Sequence, residues 1–376
     1  MALLEVRDLV VEFRVKAGRV RAVDGLSFDV GESESVGLVG ESGCGKTTTA
    51  LSIMRLLPDN GRIVSGSVRF DGEELTTLKR GPLRRRRWTD FSIIFQGAMN
   101  ALNPVRRVGD QVAEPILLHE PAVSRKQAWR RVGELFEMVG INPQRRREYP
   151  HQFSGGMRQR VMIAMALANR PRLVIGDEPT TALDVMVQAQ ILELLERLRS
   201  ELGLAMILIT HDLSVVAETC DRAVVMYAGQ LAETGIVEHL YRRPLHPYTV
   251  RLMGSVPDIG GPRRLPDGIP GQPPDLMRPP TGCRFHPRCD HAMEVCVASY
   301  PAPRAFGESH SVACHAVADD GRLRSPAELP LLTSARVIAT ADTAVDPLVA
   351  LPDDVTDAAG DADAAGDADD LAAGSA

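Results

Sequence analysis

Gly40-Glu41-Ser42-Gly43-Cys44-Gly45-Lys46-Thr47 follows the pattern G-x-x-x-x-G-K-[ST] of a loop that cradles phosphates. The apolar run Ser35–Val39 before it predicts a short buried strand, and Thr48–Leu57 after it predicts a helix closed by Pro58. Glycines let the backbone curl until several N–H groups converge, and the helix N-terminus adds its positive dipole end. Lys46 is expected to reach β- and γ-phosphates, and the Thr47 hydroxyl to bind Mg²⁺. Gly40, Glu41, Ser42, Gly43, Cys44, Gly45, Lys46, Thr47 and Thr48 thus form the expected nucleotide-binding set.

At 376 residues the chain has room for a sizeable core and a smaller appendage. Its 44% hydrophobic and 24% charged residues are those of a globular protein. No apolar run approaches the ~18 residues that span a bilayer, and Met1–Asp8 lacks the pattern of a secretory signal. A cytoplasmic location is expected. The net charge of −6 hides an asymmetry: residues 341–376 hold ten Asp and no Lys, Arg or Glu, so the body is net positive.

Leu3–Val30 alternates apolar and polar residues around a break at Lys16–Arg19, predicting two antiparallel strands. Phe13 in the first of them either stacks on an adenine or packs as a half-buried strand residue. Leu83–Trp88 carries four arginines, which read as a solvated face, so nucleic acid is not expected as a partner. Phe91–Gln96 predicts a strand ending in an amide. Val123–Gly140 repeats apolar residues at helical spacing, at Ala128, Val132, Leu135, Phe136 and Val139. Ser154 precedes Gly155 and Gly156 as a helix cap whose following N–H groups are approachable. Arg172–Glu178 is a buried strand ending in two carboxylates, a costly pair to bury without a cation. Asp177 is placed to hold Mg²⁺ and Glu178 to polarise a water. Ala205–Ile209 predicts another buried strand with His211 just past its end, where open α/β sheets bind ligands.

In this order, the phosphate loop, Gln96, Ser154-Gly155-Gly156, Asp177-Glu178, Ala182-Leu183-Asp184 and His211 resemble the ATP-binding subunit of ABC transporters, over about residues 3–255. The resemblance implies an α/β fold: a P-loop NTPase core of ABC type with a mixed sheet and helices, an antiparallel β subdomain and a helical subdomain over about 97–165. It implies two subunits facing head to tail, each ATP lying between one phosphate loop and the other's Ser154-Gly155-Gly156 signature. By the same resemblance Glu178 is the general base, His211 senses the γ-phosphate, Gln96 helps hold Mg²⁺ or the attacking water, and Asp184 sits near the dimer seam. Tyr149–Phe153, Arg243–Thr249 and Ile269–Pro274 are similar to the D-type ATPase subunit of oligopeptide and dipeptide importers, with nickel-chelate importers sharing much of this. That implies a homologous second ATPase subunit, two membrane permease subunits, an extracytoplasmic peptide-binding protein and a place on the cytoplasmic face of the membrane. A soluble, non-transport ABC ATPase is the rival; such proteins usually carry two sets of motifs or long inserted arms. The sequence departs from the family at Met157, at Gly176, and after Gln96, where the usual acid-Pro pair is missing.

Pro and Gly rise over Gly254–Pro280, marking a linker before a small Cys-rich C-terminal domain expected over 256–325. Cys283, Cys289, Cys296 and Cys314 contain no C-x-x-C pair, which argues against a zinc ribbon. The resembling peptide-importer segment holds a [4Fe–4S] cluster on four thiolates; structural zinc is the alternative. His286, His291 and His315 are expected at the surface, and Cys44 and Cys220 as packing residues. The tail over 326–376 turns from Ala341 onward into an Ala/Asp/Gly composition that cannot offset its ordering entropy, so disorder is expected there.

Overall fold

The computed structural model describes residues 2–97, 101–181, 183–255, 268–307, 309–330 and 332. The element order is β1 (Ala2–Val15), β2 (Gly18–Gly31), β3 (Ser35–Val39), α1 (Lys46–Ile53), β4 (Gly61–Phe70), β5 (Glu73–Glu74), α2 (Arg80–Arg86), β6 (Phe91–Ile94), α3 (Val108–His119) and α4 (Arg125–Met138). It continues with α5 (Gly155–Ala166), β7 (Leu173–Asp177), α6 (Val185–Leu202), β8 (Ala205–Ile209), α7 (Leu213–Thr219), β9 (Arg222–Tyr227), β10 (Gln230–Ile236), α8 (Val237–Arg242), α9 (Pro247–Gly254), α10 (Glu294–Ala298), β11 (Arg304–Ala305) and β12 (Ser311–Val312).

Strands β9-β3-β8-β7-β6 lie parallel in the middle of the larger sheet, and β10, β12 and β11 extend it antiparallel at one edge. Every residue of β3, β7 and β8 is buried, as near-continuous apolar runs in a covered parallel sheet must be. The parallel pairing puts the C-terminal ends of β3, β7 and β8 side by side, so the phosphate loop, Glu178 and His211 leave the sheet together. The second sheet, β2-β1-β4-β5, is antiparallel and packs its apolar face into the core shared with α1. Helices α3, α4 and α5 close a separate core around Val112, Ile116, Val132, Phe136 and Val161, in the region expected as a helical subdomain.

Four features differ from expectation. Helix α1 begins at Lys46 and ends at Ile53, not at Pro58. Arg55 turns left-handed (φ 50°), and the N–H groups of Arg55 and Leu56 bond back to Ser52 and Leu51, a Schellman-type stop. Strand β6 ends at Ile94, leaving Phe95 and Gln96 beyond it. The Cys-rich segment does not stand apart: β12 pairs with β10, so its described part continues the main sheet. His286, expected at the surface, is 2% exposed. Two arginines of the run bond within this chain, Arg86 to Asp90 and Arg87 to the carbonyls of Met54 and Arg55 past the end of α1. Ala182, residues 98–100, residues 256–267 of the linker and the acidic tail from 333 lie outside the described residues. Among the described residues, no helix is long and apolar enough to cross a membrane.

Candidate active site

The phosphate loop is wedged against backbone on two sides. A Cβ at Gly40 would lie 2.2 Å from the Met226 carbonyl oxygen, and one at Gly45 would lie 2.4 Å from that of Ala22. Both glycines have positive φ, 148° and 106°, so these positions exclude other residues twice over. The loop feeds directly into α1, whose first residues, Lys46, Thr47 and Thr48, line the cavity at the helix end that leaves N–H groups unpaired.

Lys46 is 6% exposed. Its ammonium donates to the carbonyls of Gly40 (2.6 Å) and Glu41 (3.0 Å). The Thr47 hydroxyl donates to Asp177 Oδ1 at 3.0 Å. Asp177 is 2% exposed, and burial raises its pKa above the usual carboxylate value, with Glu178 adding to the rise and Thr47 and Lys46 opposing it. A buried carboxylate bonded to a hydroxyl is an all-oxygen donor set that fits a hard divalent cation such as Mg²⁺.

Glu178 is held from three sides. Its Oε2 accepts from Gln96 Nε2 (2.8 Å) and from the Thr181 hydroxyl (2.9 Å), and its Oε1 lies 3.3 Å from His211 Nδ1. Its backbone is left-handed (φ 46°), an unfavourable state for a non-glycine residue that the surroundings must impose. The Glu178 N–H donates to the Ile209 carbonyl at 2.9 Å, tying the turn after β7 to the end of β8. Ser42, Gly43, Gly45, Lys46, Thr47, Thr48, Gln96, Glu178 and His211 line one cavity of about 440 Å³. A chain that brings a phosphate loop, a hard-cation pair and an oriented carboxylate around one space can bind a triphosphate and activate a water against it.

Phe13 does not line that cavity. It borders a separate hollow with Glu12, Arg19 and Asn60, and its ring sits where a Gly61 side chain would go. Ser154, Gly155 and Gly156 are also absent from the cavity lining. Ser154 caps α5 by accepting from the Met157 N–H. Asp184 caps α6 by accepting from the Val187 N–H at 3.0 Å. The two helices touch there: a Cβ at Gly156 would meet Val187 Cγ1 at 2.5 Å.

Cys283, Cys296 and Cys314 pack with Met293, Ala316 and Leu329, while Cys289 lies on the neighbouring core beside Cys283. Burial raises all four thiol pKa values, Cys283 and Cys314 to about 12. Cys283 and Cys314 each add to the rise at Cys289, so the four groups share one electrostatic neighbourhood. Among the described residues, one set is close enough to share a single ion: Cys289, Asp290 and His291. There Asp290 already accepts from Arg251 (2.9 Å) and faces His291 (3.1 Å). Cys44 and Cys220 are packing residues as expected.

Sequence reasoning missed Thr181, whose hydroxyl is one of the three groups on Glu178. It also missed Tyr248 and Arg288, which bond Glu41 from far along the chain. A Thr in a loop and an Arg between cysteines carry no pattern that marks them.

The family model described as ABC transporter matches residues 23–181, and that described as Oligopeptide/dipeptide transporter, C-terminal region, matches 232–296. The latter begins inside β10, in keeping with a C-terminal segment that grows out of the sheet. The chain is 48% identical to the dipeptide transport ATP-binding protein DppD of Bacillus subtilis, over 83% of this chain and 94% of that protein. It is 48% identical to the oligopeptide transport ATP-binding protein OppD of Escherichia coli, over 80% of this chain and 89% of the relative. Among solved structures, a dimeric ATP-binding cassette bound to ADP and Pi superposes with a TM-score of 0.57 at 26% identity, covering 62% of this chain and 98% of the other.

Proposed function

The chain belongs to the ATP-binding proteins of ABC-type peptide transporters, and from that premise we propose that it is the ATP-hydrolysing subunit of a peptide importer. The observation that carries the proposal is the cavity in which Lys46, Thr47 with Asp177, and the triply held Glu178 converge. Lys46 exchanges the carbonyls of Gly40 and Glu41 for the β- and γ-phosphates of ATP. Thr47, Asp177 and Gln96 would hold Mg²⁺, which when bound would supply positive charge against the phosphate oxygens. Glu178 takes a proton from water as the water oxygen bonds to the γ-phosphorus and ADP departs with the broken bond's electrons. His211 fixes Glu178 and reads the γ-phosphate, and Gln96 reports the same site to its surroundings.

The signature lies outside its own chain's cavity, which supports the reading that a second chain supplies the opposing half. Two exposed apolar side chains at the start of α6, Val185 (83% exposed) and Met186 (72%), stand next to Asp184 and support a covered seam there. The partner is a homologous ATPase subunit, and closure of the pair on ATP drives two permease subunits that receive peptide from an extracytoplasmic binding protein. The chain then works at the cytoplasmic face without entering the bilayer. Phe13 contributes an aromatic face for the adenine only if nucleotide binding moves it. Residues 1–255 carry the ATPase machinery and 256–325 form the accessory segment.

The four clustered thiols support a [4Fe–4S] cluster over zinc. A cluster spreads its ligands wider than a single ion does, and the compact Cys289-Asp290-His291 set has its carboxylate already paired. Protein purified without oxygen is expected to be brown with about four irons per chain; colourless protein with stoichiometric zinc overturns this part alone. For the whole proposal, the complex with its permeases in lipid vesicles is expected to hydrolyse ATP faster when a peptide-loaded receptor is added. Turnover indifferent to receptor and permease would refute the importer reading.

A further inference from the structure

Glu41 is the second residue of the phosphate loop, yet its carboxylate does not line the cavity. Two residues far along the chain bond Glu41, one at its backbone and one at its carboxylate. Its N–H donates to the Tyr248 hydroxyl at 2.8 Å. Arg288 grips its carboxylate with a fork, Nη1 to Oε2 at 2.7 Å and Nη2 to Oε1 at 3.1 Å. The Arg288 side chain is 6% exposed. Its nitrogens also donate to the carbonyls of Pro270 (2.6 Å), Ile269 (3.3 Å) and Gly271 (3.4 Å) and to the Tyr227 hydroxyl (3.1 Å). Tyr227, Tyr248 and Phe285 pack ring on ring behind this network, with centroids 4.7–5.3 Å apart.

A guanidinium with its donors engaged is a rigid fork, so the carboxylate it holds has one position. The carbonyl of the same Glu41 accepts from Lys46 at 3.0 Å, so Arg288 reaches the phosphate-binding amine through one residue. The chemistry of the loop makes the fork necessary. A free carboxylate this close to a triphosphate repels it and competes for Lys46. We infer that Arg288 is a positioning residue of the nucleotide site: the cysteine-bearing C-terminal segment supplies it to neutralise Glu41 and hold that carboxylate out of the phosphate cavity. The segment is then part of the ATP site as well as the proposed holder of a metal group.

The inference rests on the ATP-binding reading, and the experiment separates the two. MgATP affinity is measured on the full chain with a fluorescent ATP analogue, and turnover on the assembled complex. Arg288→Gln is expected to raise Kd by about tenfold or more, the scale of one lost charge-assisted contact. Its kcat at saturating ATP should stay within about twofold, because the general base is untouched. Adding Glu41→Gln to Arg288→Gln should restore most of the affinity, since the repelling charge is then gone. A merely structural arginine predicts loss of kcat and Kd together, with no rescue. An unchanged Kd in Arg288→Gln, or a double variant no better than the single, overturns the inference. If Arg288→Gln does not fold, Arg288→Lys decides, because it keeps the charge and loses the fork: a Kd raised less than tenfold with unchanged kcat supports the inference, and a wild-type Kd overturns it. A wild-type chain that fails to bind the analogue sinks the ATP-binding reading instead.

Discussion

Replacing Glu178 by Gln removes a proton acceptor while leaving the site's shape intact. The amide oxygen of Gln can take the place of Oε2 and still accept from Gln96 and Thr181, now 2.8 and 2.9 Å away. Its NH₂ then replaces Oε1 and donates to His211 Nδ1, which lies 3.3 Å off. The left-handed backbone suits Gln as poorly as Glu, so no new strain enters. Nothing on the phosphate loop changes. Loss of a positioned general base costs about 10²- to 10⁴-fold in rate, or about 2.7–5.4 kcal/mol of barrier. The expected outcome is therefore a drop of that size in kcat, an ATP affinity within about twofold of wild type, and an unchanged melting temperature. Phosphate release measured at saturating MgATP, beside analogue binding, gives both quantities. A variant retaining more than about a tenth of wild-type turnover would show that Glu178 is not the base.

Two further perturbations follow from particular contacts. Gly156→Ala drives a methyl to within 2.5 Å of Val187 Cγ1, a stiff β-branched neighbour, and overpacking of this kind costs about 1–3 kcal/mol. Melting temperature and turnover should both fall in Gly156→Ala and recover in the double variant with Val187→Ala; no recovery would separate the signature from α6. His246 gives a pH dependence. Burial lowers its pKa from 6.5 to about 4, with His291 adding to the fall and Glu233 opposing it. The unfolded chain takes up this proton first as pH falls, so the stability contributed is whole above 6.5 and is lost as pH drops to about 4. His246 Nδ1 accepts the Tyr248 N–H at 3.0 Å, and the Tyr248 hydroxyl holds Glu41, so nucleotide affinity should decline in the same window. His246→Asn keeps an acceptor without the titration and should flatten both profiles; coincident profiles would rule the histidine out.

How far the sequence could be read depended on how local each cause is. Strands β3, β7 and β8 are buried on both faces and read as apolar runs, and the residues at their ends announce the site. The phosphate loop was legible because its glycines answer to carbonyls that any chain of this kind must bring close. The end of α1 was misread because Pro58 looked like the stop, whereas Arg55 halts the helix and bonds the carbonyls of Leu75 and Leu78. The fork from Arg288 to Glu41 crosses 247 positions of sequence, and no spacing rule reaches that far. Strands β11 and β12 are two residues each, below the length at which alternation can be seen, so the continuation of the sheet into the cysteine segment had no signature. Phe13 shows the converse: its place before the loop left adenine stacking and half-buried strand packing both open, and its ring packs beside Gly61, as the second of these expects.

The central claim is that one triphosphate is enclosed by two chains, with Glu178 facing it. Electron microscopy of the assembled Glu178→Gln complex trapped with MgATP tests this most directly. The account predicts a closed pair in which residue 178 of this chain points at the γ-phosphate held by Lys46, while Ser154-Gly155-Gly156 of this chain meets the nucleotide of its partner. A closed pair with residue 178 turned away, or nucleotides contacted by one chain alone, would contradict it.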